Sequence, residues 1–419
     1  MVKLLIHGPN RLSGELNVHG AKNSTLPLMA ATLLCRSECV LHNCPHLSDV
    51  DVSARILRHL GCTVTRQGGS LAIDPRCVTQ CDIPDGLMRE MRSSIVFLGA
   101  ILSRAGRAVL SFPGGCELGP RPIDLHLAAL RKMGAKIVED YGCLSCSAEG
   151  PLHGAAIGLS FPSVGATENI MLAAVLAEGT TVVTNAAREP EICDLAEFLN
   201  RCGAKVSGAG GSTLVIEGVS ALHGCEHRVI PDRIAAATFM SAAAATGGCI
   251  RLNHVVPAHL EPVIPFFEEL GCSIETEETS LRICAPARLG RIKSVRTMPY
   301  PGFPTDAQAP LMAAACLGSG TSIFVENIFE SRYKHVGELL RLGANIKVEG
   351  RVAVIEGVPR LSGAPVEAAD LRGGAALVVA GLASRGATEV SGVRYIDRGY
   401  ENLERSFAQL GASIRREYE

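Results

Sequence analysis

One short pattern recurs six times along the chain at nearly equal intervals. It consists of an apolar or large residue, Gly, a small residue, any residue and a β-branched residue, and its copies are LGCTV, MGAKI, CGAKV, LGCSI, LGANI and LGASI. The glycines, which are separated by 73, 69, 68, 72 and 68 residues, are Gly61, Gly134, Gly203, Gly271, Gly343 and Gly411. Chance does not produce such spacing, so the chain is built from six repeats of about 70 residues.

Each repeat contains two kinds of helical segment. One kind is periodic and runs into the repeat glycine, which predicts a helix with glycine at its C-terminal cap and a strand after it. The other kind is Ala-rich and nearly all apolar, which predicts a helix buried on most sides. The buried segments are 22–34, 91–106, 166–179, 232–248, 305–320 and 370–386. Short alternating strands such as GTTVVTNA follow them, so the repeats indicate an α/β protein with sheets outside and buried helices inside.

The buried helical segments begin with unusually polar residues. If these helices run parallel, their N-termini together present partial positive charge and free N–H donors, a natural anion site. Helix N-termini normally prefer acids, so the four cations at these ends favour a shared anion-binding cleft over ordinary capping and solvation. The polar residues are Lys22, Asn23, Arg92, Asp232, Arg233, Asp306, Asp370 and Arg372.

Residues 113–126, PGGCELGPRPIDLH, form a loop punctuated by glycine and proline. Gly114 and Gly115 free the backbone to bring the Cys116 thiol close to a ligand, and Arg121 supplies a cation. A nearby cation gives a thiol thiolate character, and an Arg fork suits phosphate. The alternative is a surface turn with one incidental cysteine among 16, and composition alone favours that alternative.

Composition excludes several classes of protein. A formal net charge of −2 gives no global attraction to nucleic acid or to an acidic membrane. The start of the chain has no signal-peptide pattern and no apolar run reaches about 18 residues, so we expect a cytoplasmic protein without a membrane span. We therefore expect the 16 cysteines to be reduced thiols and not a disulfide framework. Cys143 and Cys146 form a lone CxxC, interpreted as structural because no second pair at zinc spacing accompanies it.

Motifs along essentially the whole chain resemble those of the UDP-N-acetylglucosamine 1-carboxyvinyltransferase family, and they fall in family order. The motifs are GAKN at 20–23, PGGC at 113–116, RPIDLH at 121–126, SVGAT at 163–167, NAAREPEI at 185–192, PDR at 231–233, FPTD at 303–306, FESR at 329–332, DLR at 370–372 and DRGYE at 397–401. The resemblance implies transfer of enolpyruvyl from phosphoenolpyruvate to the 3′-hydroxyl of UDP-N-acetylglucosamine, with release of phosphate. This reaction opens peptidoglycan precursor synthesis, and the resemblance implies no metal and no organic cofactor.

The resemblance also implies a two-domain inside-out α/β barrel with three repeats in each domain and the active site in the cleft between the domains. One domain spans 22–229 and carries Cys116. The other joins 1–21 to 230–419 and carries Asp306 and Arg398.

The family positions assign roles to individual residues. Cys116 is implied as the proton donor, able to form a covalent phospho-thioketal adduct and to be alkylated by the epoxide fosfomycin. Asp306 is implied as the base or orienter of the 3′-hydroxyl. The implied phosphoenolpyruvate contacts are Lys22, Asn23, Arg121 and Arg398. The implied sugar-nucleotide contacts are Asn23, Arg92, Arg121, Pro122, Ile123, Asp124, Leu125, Ser163, Val164, Gly165, Asp306 and Ile328. Weaker candidates are Glu189, Asp232, Arg332, Asp370 and Arg372, and Phe161–Pro162 stand where some relatives carry a Lys.

Two other functions remain open. The sister family, 5-enolpyruvylshikimate-3-phosphate synthase, shares the fold, but GAKN and PGGC argue against it. A catalytically silent nucleotide-sugar sensor on the same scaffold is the third possibility. Intact Cys116, Asp306, Lys22 and Arg398 argue against a sensor, which has no need to keep them.

Overall fold

The computed structural model describes residues 2–111 and 123–418, which separate into two units. The central unit comprises residues 20–111 and 123–230, and the terminal unit comprises residues 2–19 and 231–418. Each unit has a hydrophobic core of its own.

The described residues form 24 strands, most of them short. In chain order they are β1 Val2–Gly8, β2 Ser13–Asn17, β3 Cys39–His42, β4 Thr63–Gln67, β5 Ser70–Asp74, β6 Asp82–Ile83, β7 Arg107–Ser111, β8 Lys136–Asp140, β9 Cys143–Ser147, β10 Ala156–Gly158, β11 Thr180–Thr184, β12 Lys205–Ser207, β13 Thr213–Glu217, β14 Glu226–Arg228, β15 Cys249–Asn253, β16 Ser273–Thr276, β17 Ser280–Cys284, β18 Ser294–Arg296, β19 Thr321–Val325, β20 Asn345–Glu349, β21 Val352–Glu356, β22 Pro365–Glu367, β23 Gly386–Ser391 and β24 Ser413–Tyr418.

Within the described residues these strands form six four-stranded sheets with one shared topology. In each sheet the first strand is parallel to the second, and the other two continue antiparallel. The orders are β14-β3-β5-β4, β6-β7-β9-β8 and β10-β11-β13-β12 in the central unit, and β2-β15-β17-β16, β18-β19-β21-β20 and β22-β23-β1-β24 in the terminal unit. Strands β1 and β2 thus join the sheets of the chain's second half, which ties residues 2–19 to the terminal unit. The predicted repeat is confirmed, because every copy yields the same sheet.

The described residues also form 14 α-helices, with short 3-10 segments at Thr32–Leu34, Arg92–Val96 and Pro257–Leu260. The helices are α1 Lys22–Ala31, α2 Ser48–Leu60, α3 Asp85–Glu90, α4 Phe97–Ala105, α5 Asp124–Lys132, α6 Val164–Ala174, α7 Pro190–Arg201, α8 Arg233–Ala245, α9 Ile264–Glu269, α10 Thr305–Ala315, α11 Val336–Arg341, α12 Leu371–Ala383, α13 Val393–Ile396 and α14 Leu403–Gln409.

The repeat glycines end the outer helices of the repeats, as the sequence predicts. Their φ angles are 108°, 96°, 97°, 90°, 91° and 89° in chain order, all in the left-handed region that a side chain strains. Helices α2, α5, α7, α9, α11 and α14 stop one or two residues before them, and a strand follows each glycine. A glycine at this point of every repeat therefore turns the chain from helix to strand.

The Ala-rich helices are buried along nearly their whole length, as predicted. In the terminal unit α8, α10 and α12 pack against one another, and small side chains permit that close approach. A Cβ added at Gly374 of α12 would lie 2.8 Å from Cγ1 of Ile396, so a larger residue there would displace a neighbour.

The cysteines follow the expectation of reduced thiols with one exception. Cys249 and Cys284 occupy directly opposed positions of β15 and β17, with Cα atoms 4.0 Å apart, and are joined as a disulfide. This pairing corrects the expectation for these two residues, because the antiparallel register brings their side chains together. The other cysteines within residues 2–111 and 123–418 are free. Cys143 is exposed and Cys146 buried on opposite faces of β9, so the CxxC does not form a paired site.

None of the helices within residues 2–111 and 123–418 has the length and apolar character needed to cross a membrane.

Candidate functional site

Asp306 lies in the first turn of α10, where its carboxylate is shared by two buried arginines. Oδ1 accepts a hydrogen bond of 2.9 Å from Arg332, and Oδ2 accepts bonds of 3.2 and 3.0 Å from Nε and Nη2 of Arg372. Both guanidinium groups have side chains that are 2% exposed, whereas the Asp306 side chain is 27% exposed. We call these three residues the shared-carboxylate cluster. The weaker candidates Arg332 and Arg372 therefore contact the predicted catalytic Asp306 directly.

Asp306 is not the N-cap of its helix. The N-cap of α10 is Pro304, which makes no side-chain capping bond, and Asp306 bonds to guanidinium groups instead. By contrast, Asp232 caps α8 by accepting from the N–H groups of residues 234 and 235, and Asp370 caps α12 by accepting from those of residues 372 and 373. The Asp306 carboxylate therefore bonds to two guanidinium groups and does not act as the helix cap. Its side chain is partly exposed to solvent.

Glu326 shapes the loop that carries Ile328. The Glu326 side chain is buried; its Oε1 accepts from the backbone N–H of Ile328 at 2.8 Å and of Phe329 at 2.9 Å. Its Oε2 accepts from the Thr305 hydroxyl at 3.0 Å, next to Asp306 in α10. Sequence reasoning missed Glu326, which fixes the predicted contact Ile328 close to the start of α10.

The starts of α10 and α12 meet at Arg372, which also contacts Tyr400 beside α8. Its guanidinium carbon lies 5.3 Å from the ring centre of the buried Tyr400, whose hydroxyl is 2.8 Å from the Thr238 hydroxyl in α8. Because Arg372 near the start of α12 also binds Asp306 near the start of α10, these packed helices run parallel. The shared position of these two helix starts is the arrangement that the predicted parallel direction of the buried helices requires.

Arg398, predicted to bind phosphoenolpyruvate, is half-buried in a segment held at both ends. Asp397 binds Arg416 through bonds of 2.7 and 2.9 Å, and Tyr400 is buried beneath Arg372. These anchors fix the backbone on each side of Arg398.

Several buried polar atoms around the shared-carboxylate cluster have no hydrogen-bond partner among the described residues. They include Nε of Arg332, Nη1 of Arg372, both ring nitrogens of His335 and Oδ2 of Asp370. Burial lowers the pKa of His335 to about 4, against the opposing effect of Asp370, so the imidazole is neutral at pH 7. Two cations then face one shared carboxylate, and their spare N–H groups suit an additional anion or hydroxyl acceptor.

In the central unit Lys22 is the first residue of α1 and forms a buried ion pair. Its Nζ lies 2.7 Å from Oδ2 of Asp49 in α2, and the two side chains are 9% and 2% exposed. Ordinary surface solvation therefore does not explain this cation. Asp49 is a further residue that the sequence did not reveal, because nothing in its helix marks it apart from the other acids of the first turn.

Asp194 in α7 holds the start of α1 in position through hydrogen bonds. It is buried in α7 and accepts hydrogen bonds from the Ser24 hydroxyl and from Nε2 of His227, the latter at 2.8 Å. The backbone N–H of Ala21 donates to the carbonyl of Ile230 at 2.7 Å. These bonds set the position of Lys22 and Asn23, of which Asn23 is half-buried.

Asn169 ties the helices of the predicted sugar-nucleotide residues together. Its Oδ1 accepts from the N–H of Gly99 at 2.7 Å, and its Nδ2 donates to the carbonyl of Ile95 at 3.0 Å and to Nδ1 of His126 at 2.9 Å. Burial lowers the pKa of His126 to about 4, so the ring stays neutral and accepts this bond. A Cβ at Gly165 would lie 3.1 Å from Cε1 of His126, so a larger residue there would require the His126 ring to shift.

The remaining predicted contacts of the central unit lie at helix starts. Ser163 caps α6, and its hydroxyl accepts from the N–H of Ala166 at 3.3 Å. Half-buried residues at these ends are Arg92, Ile123, Leu125, Ser163, Val164 and Gly165, and Asp124 is exposed. One prediction is wrong in detail: residues 124–126 are not loop but the first turn of α5, because an acid at its start and apolar residues inward favour helix. Cys116, Arg121 and Pro122 lie outside the described residues.

Three acids are buried near one another: Glu168 lies inside α6, and Glu189 and Glu191 lie at the start of α7. Burial, followed by the charges of Glu191 and Glu189, raises the pKa of Glu168 well above its usual value. The motif NAAREPEI had drawn attention to Glu189, but Glu168 sits unmarked inside an apolar helix.

A family model described as EPSP synthase (3-phosphoshikimate 1-carboxyvinyltransferase) matches residues 6–407. The UDP-N-acetylglucosamine 1-carboxyvinyltransferase 2 of Caldanaerobacter subterraneus subsp. tengcongensis is 51% identical over 414 residues, covering 99% of both chains. The UDP-N-acetylglucosamine 1-carboxyvinyltransferase 1 of Symbiobacterium thermophilum is 49% identical over 419 residues, covering 99% of this chain and 95% of that protein.

A solved structure, the enolpyruvyl transferase NikO from Streptomyces tendae, superposes with a TM-score of 0.90 at 25% identity, covering 99% of this chain and 98% of that one. The chain therefore belongs to the EPSP synthase family and, within it, to the UDP-N-acetylglucosamine 1-carboxyvinyltransferases.

Proposed function

We propose that this chain transfers the enolpyruvyl group of phosphoenolpyruvate to the 3′-hydroxyl of UDP-N-acetylglucosamine and releases phosphate. The observation that carries the proposal is identity of 49–51% over nearly the full length to proteins named for this activity. The family model carries the shikimate name, but relatives with this degree of sequence identity favour the sugar nucleotide as acceptor. A silent sensor is disfavoured because the acidic and cationic residues of the site are present.

The shared-carboxylate cluster supplies the acceptor side of the proposed reaction. Two guanidinium groups hold the Asp306 carboxylate ionised, and its 27% exposure leaves an oxygen accessible to a substrate hydroxyl. Such a carboxylate orients the 3′-hydroxyl and accepts its hydrogen bond as the hydroxyl oxygen attacks C2 of phosphoenolpyruvate. Arg332 and Arg372 limit how readily Asp306 takes the proton away, so its main contribution is orientation and electrostatic stabilisation.

The addition step also needs an acid that delivers a proton to the methylene carbon of phosphoenolpyruvate. Cys116 carries that role in the proposal, and its thiolate is the group that attaches covalently to C2 or is alkylated by fosfomycin. Loss of a proton from the new methyl group and cleavage of the C–O bond to phosphate then restore the enol. Lys22, Arg121 and Arg398 are proposed to bind the phosphate and carboxylate of phosphoenolpyruvate.

The sugar nucleotide is assigned to the helix starts of the central unit. The proposed contacts are Asn23, Arg92, Arg121, Pro122, Ile123, Asp124, Leu125, Ser163, Val164 and Gly165, with Asp306 and Ile328 from the terminal unit. Asn169 supports this assignment because it fixes α4, α5 and α6 relative to one another. The finer architecture is part of the same proposal: we infer that the two units are the domains of an inside-out α/β barrel protein.

The decisive experiment measures phosphate release with phosphoenolpyruvate and either UDP-N-acetylglucosamine or shikimate 3-phosphate as acceptor. We expect phosphate release from phosphoenolpyruvate when the acceptor is UDP-N-acetylglucosamine and none when it is shikimate 3-phosphate. Phosphate release only with shikimate 3-phosphate, or with neither acceptor, refutes the proposal.

A thiol variant tests the proton donor in the same assay. Cys116→Asp should retain turnover with its optimum at lower pH, because an aspartic acid has an ordinary pKa of about 3.9 against about 8.5 for a thiol. Cys116→Ser should lose about 10²–10⁴ in rate, since a hydroxyl is a poor general acid. Cys77→Ser changes an exposed cysteine in the central unit and serves as the matched control. Full activity in both Cys116 variants would exclude Cys116 from the reaction.

A further inference from the structure

Three cysteines of the central unit converge on one point, and a fourth lies beside one of them. Sγ atoms of Cys35, Cys39 and Cys202 all lie within 4.8 Å of one another, and Sγ of Cys225 is 3.4 Å from that of Cys202. Cys35, Cys39 and Cys202 are 0% exposed, while Cys225 is partly exposed. We call these residues the thiol cluster. None of them has a role in the proposed transferase reaction.

The backbone holds the segments of the thiol cluster in place. The N–H of Arg36 donates to the carbonyl of Leu222 at 2.9 Å, and the N–H of Val40 donates to the carbonyl of Cys225 at 3.0 Å. Cys202 caps the end of α7, and its carbonyl accepts from the N–H of His223 at 2.9 Å. Strand β3, which begins at Cys39, pairs in parallel with β14, which follows Cys225, so the fold holds these segments together.

The spacing of the Cys35, Cys39 and Cys202 sulfurs matches that of thiolate ligands on one tetrahedral ion, and Cys225 beside Cys202 is the candidate fourth ligand. A zinc–sulfur bond of about 2.3 Å requires sulfur atoms about 3.8 Å apart, within the range that the cluster already spans. Cys35 and Cys39 are also separated by three residues, a spacing typical of paired ligands in structural zinc sites. The half-exposed Cys225 gives an ion a route to the buried thiols.

We propose that the thiol cluster is a structural site for a thiophilic divalent cation, with Zn²⁺ the favoured ion and Cys35, Cys39, Cys202 and Cys225 its ligands. Binding replaces thiol protons, which pass to solvent, and links the end of the 3-10 segment Thr32–Leu34, the start of β3, the end of α7 and the residue before β14. The site is separate from the transferase residues, so the proposal stands whether or not the proposed function holds.

The test is the zinc content of the full chain, purified under reducing conditions, incubated with Zn²⁺ and passed over a desalting column. We expect about one zinc per chain in the parent and close to none in Cys39→Ser and Cys202→Ser. Cys62→Ser removes a buried solitary thiol of the same unit and should keep its zinc. Replacement by Co²⁺ should produce thiolate-to-metal charge-transfer absorption and the intense visible bands of tetrahedral cobalt.

A second readout needs no substitution and keeps the proposal falsifiable if the variants do not fold. Bound zinc should protect Cys225 from alkylation, and a chelator should expose it, while the partly exposed Cys193 reacts equally in both conditions. A folded, reduced parent that retains no zinc overturns the proposal. So does zinc that remains in both Ser variants, or a disulfide between Cys202 and Cys225 as the native state.

Discussion

Replacing Asp306 by Ala tests whether one carboxylate holds two buried cations. The change removes the acceptor of three hydrogen bonds, of 2.9, 3.2 and 3.0 Å, and leaves Arg332 and Arg372 uncompensated. Losing one partner of a buried ion pair costs about 3–5 kcal/mol. Because Asp306 is 27% exposed and water can enter, we expect the lower end, about 3 kcal/mol. For a unit of this size that corresponds to a fall in Tm of about 6–12 °C.

A double-mutant cycle isolates the cause of the destabilisation. The free energy of unfolding of each variant is measured in urea, with circular dichroism as the probe. Asp306→Ala combined with Arg332→Met should be less destabilised than the sum of the single variants, by about 2 kcal/mol, since one stranded cation is gone. Asp85→Ala breaks the exposed pair with Arg89 and should move the midpoint little. Additivity within about 0.5 kcal/mol in the cycle would show that the carboxylate does not hold the guanidinium group.

Three other predictions concern buried titratable side chains of the central unit. Lys22→Ala should lower the free energy of unfolding by about 3–5 kcal/mol, because it leaves the buried Asp49 carboxylate without its cation. Adding Asp49→Asn should restore the denaturation midpoint but not phosphate release, and recovered turnover would show that Lys22 takes no part in the reaction. Lowering the pH from about 6.5 to about 4 should destabilise the chain, because His126 stays neutral when folded and takes up a proton on unfolding. His126→Gln should flatten this part of the curve of stability against pH, and the exposed-site control His153→Gln should not. Glu168→Gln should gain stability relative to the parent as the pH rises above about 4.5, because burial raises the pKa and the folded parent must keep a proton; a loss at every pH would contradict this.

The repeating part of the fold could be predicted from the sequence because its causes are local. A glycine with φ near 90° ends a helix in each repeat, and only glycine adopts that angle without strain. Buried helices such as α12 are equally visible, since an unbroken apolar and Ala-rich run has no polar face to offer to water. Both signals lie within a few residues of the structure they specify.

The pairings of the site could not be predicted because they join distant segments. Arg332 and Arg372 lie 26 and 66 residues beyond Asp306, and no local pattern says that their side chains share its carboxylate. The thiol cluster was missed for a related reason. Cys35 and Cys39 are close in sequence, but Cys202 and Cys225 come from the far end of the central unit and meet them only through β3 and β14.

The position of Asp124 illustrates an intermediate case. The glycine and proline content of 113–126 predicted loop throughout, yet α5 begins at Asp124. Turn-forming residues extend only to Pro122, and an acid followed by Leu125 and His126 is a helix start once the buried His126 can bind Asn169. The tertiary contact decides an element boundary that composition leaves open.

The most direct test of the central claim is the identity of the product formed from phosphoenolpyruvate and UDP-N-acetylglucosamine. Phosphorus NMR and mass spectrometry of one reaction mixture should show inorganic phosphate and an enolpyruvyl sugar nucleotide appearing in equal amounts, with the diphosphate intact. Phosphate without a modified sugar nucleotide would mean hydrolysis of phosphoenolpyruvate, and an unchanged mixture would mean no transfer. Either result, with a folded chain that binds both compounds, would contradict the account.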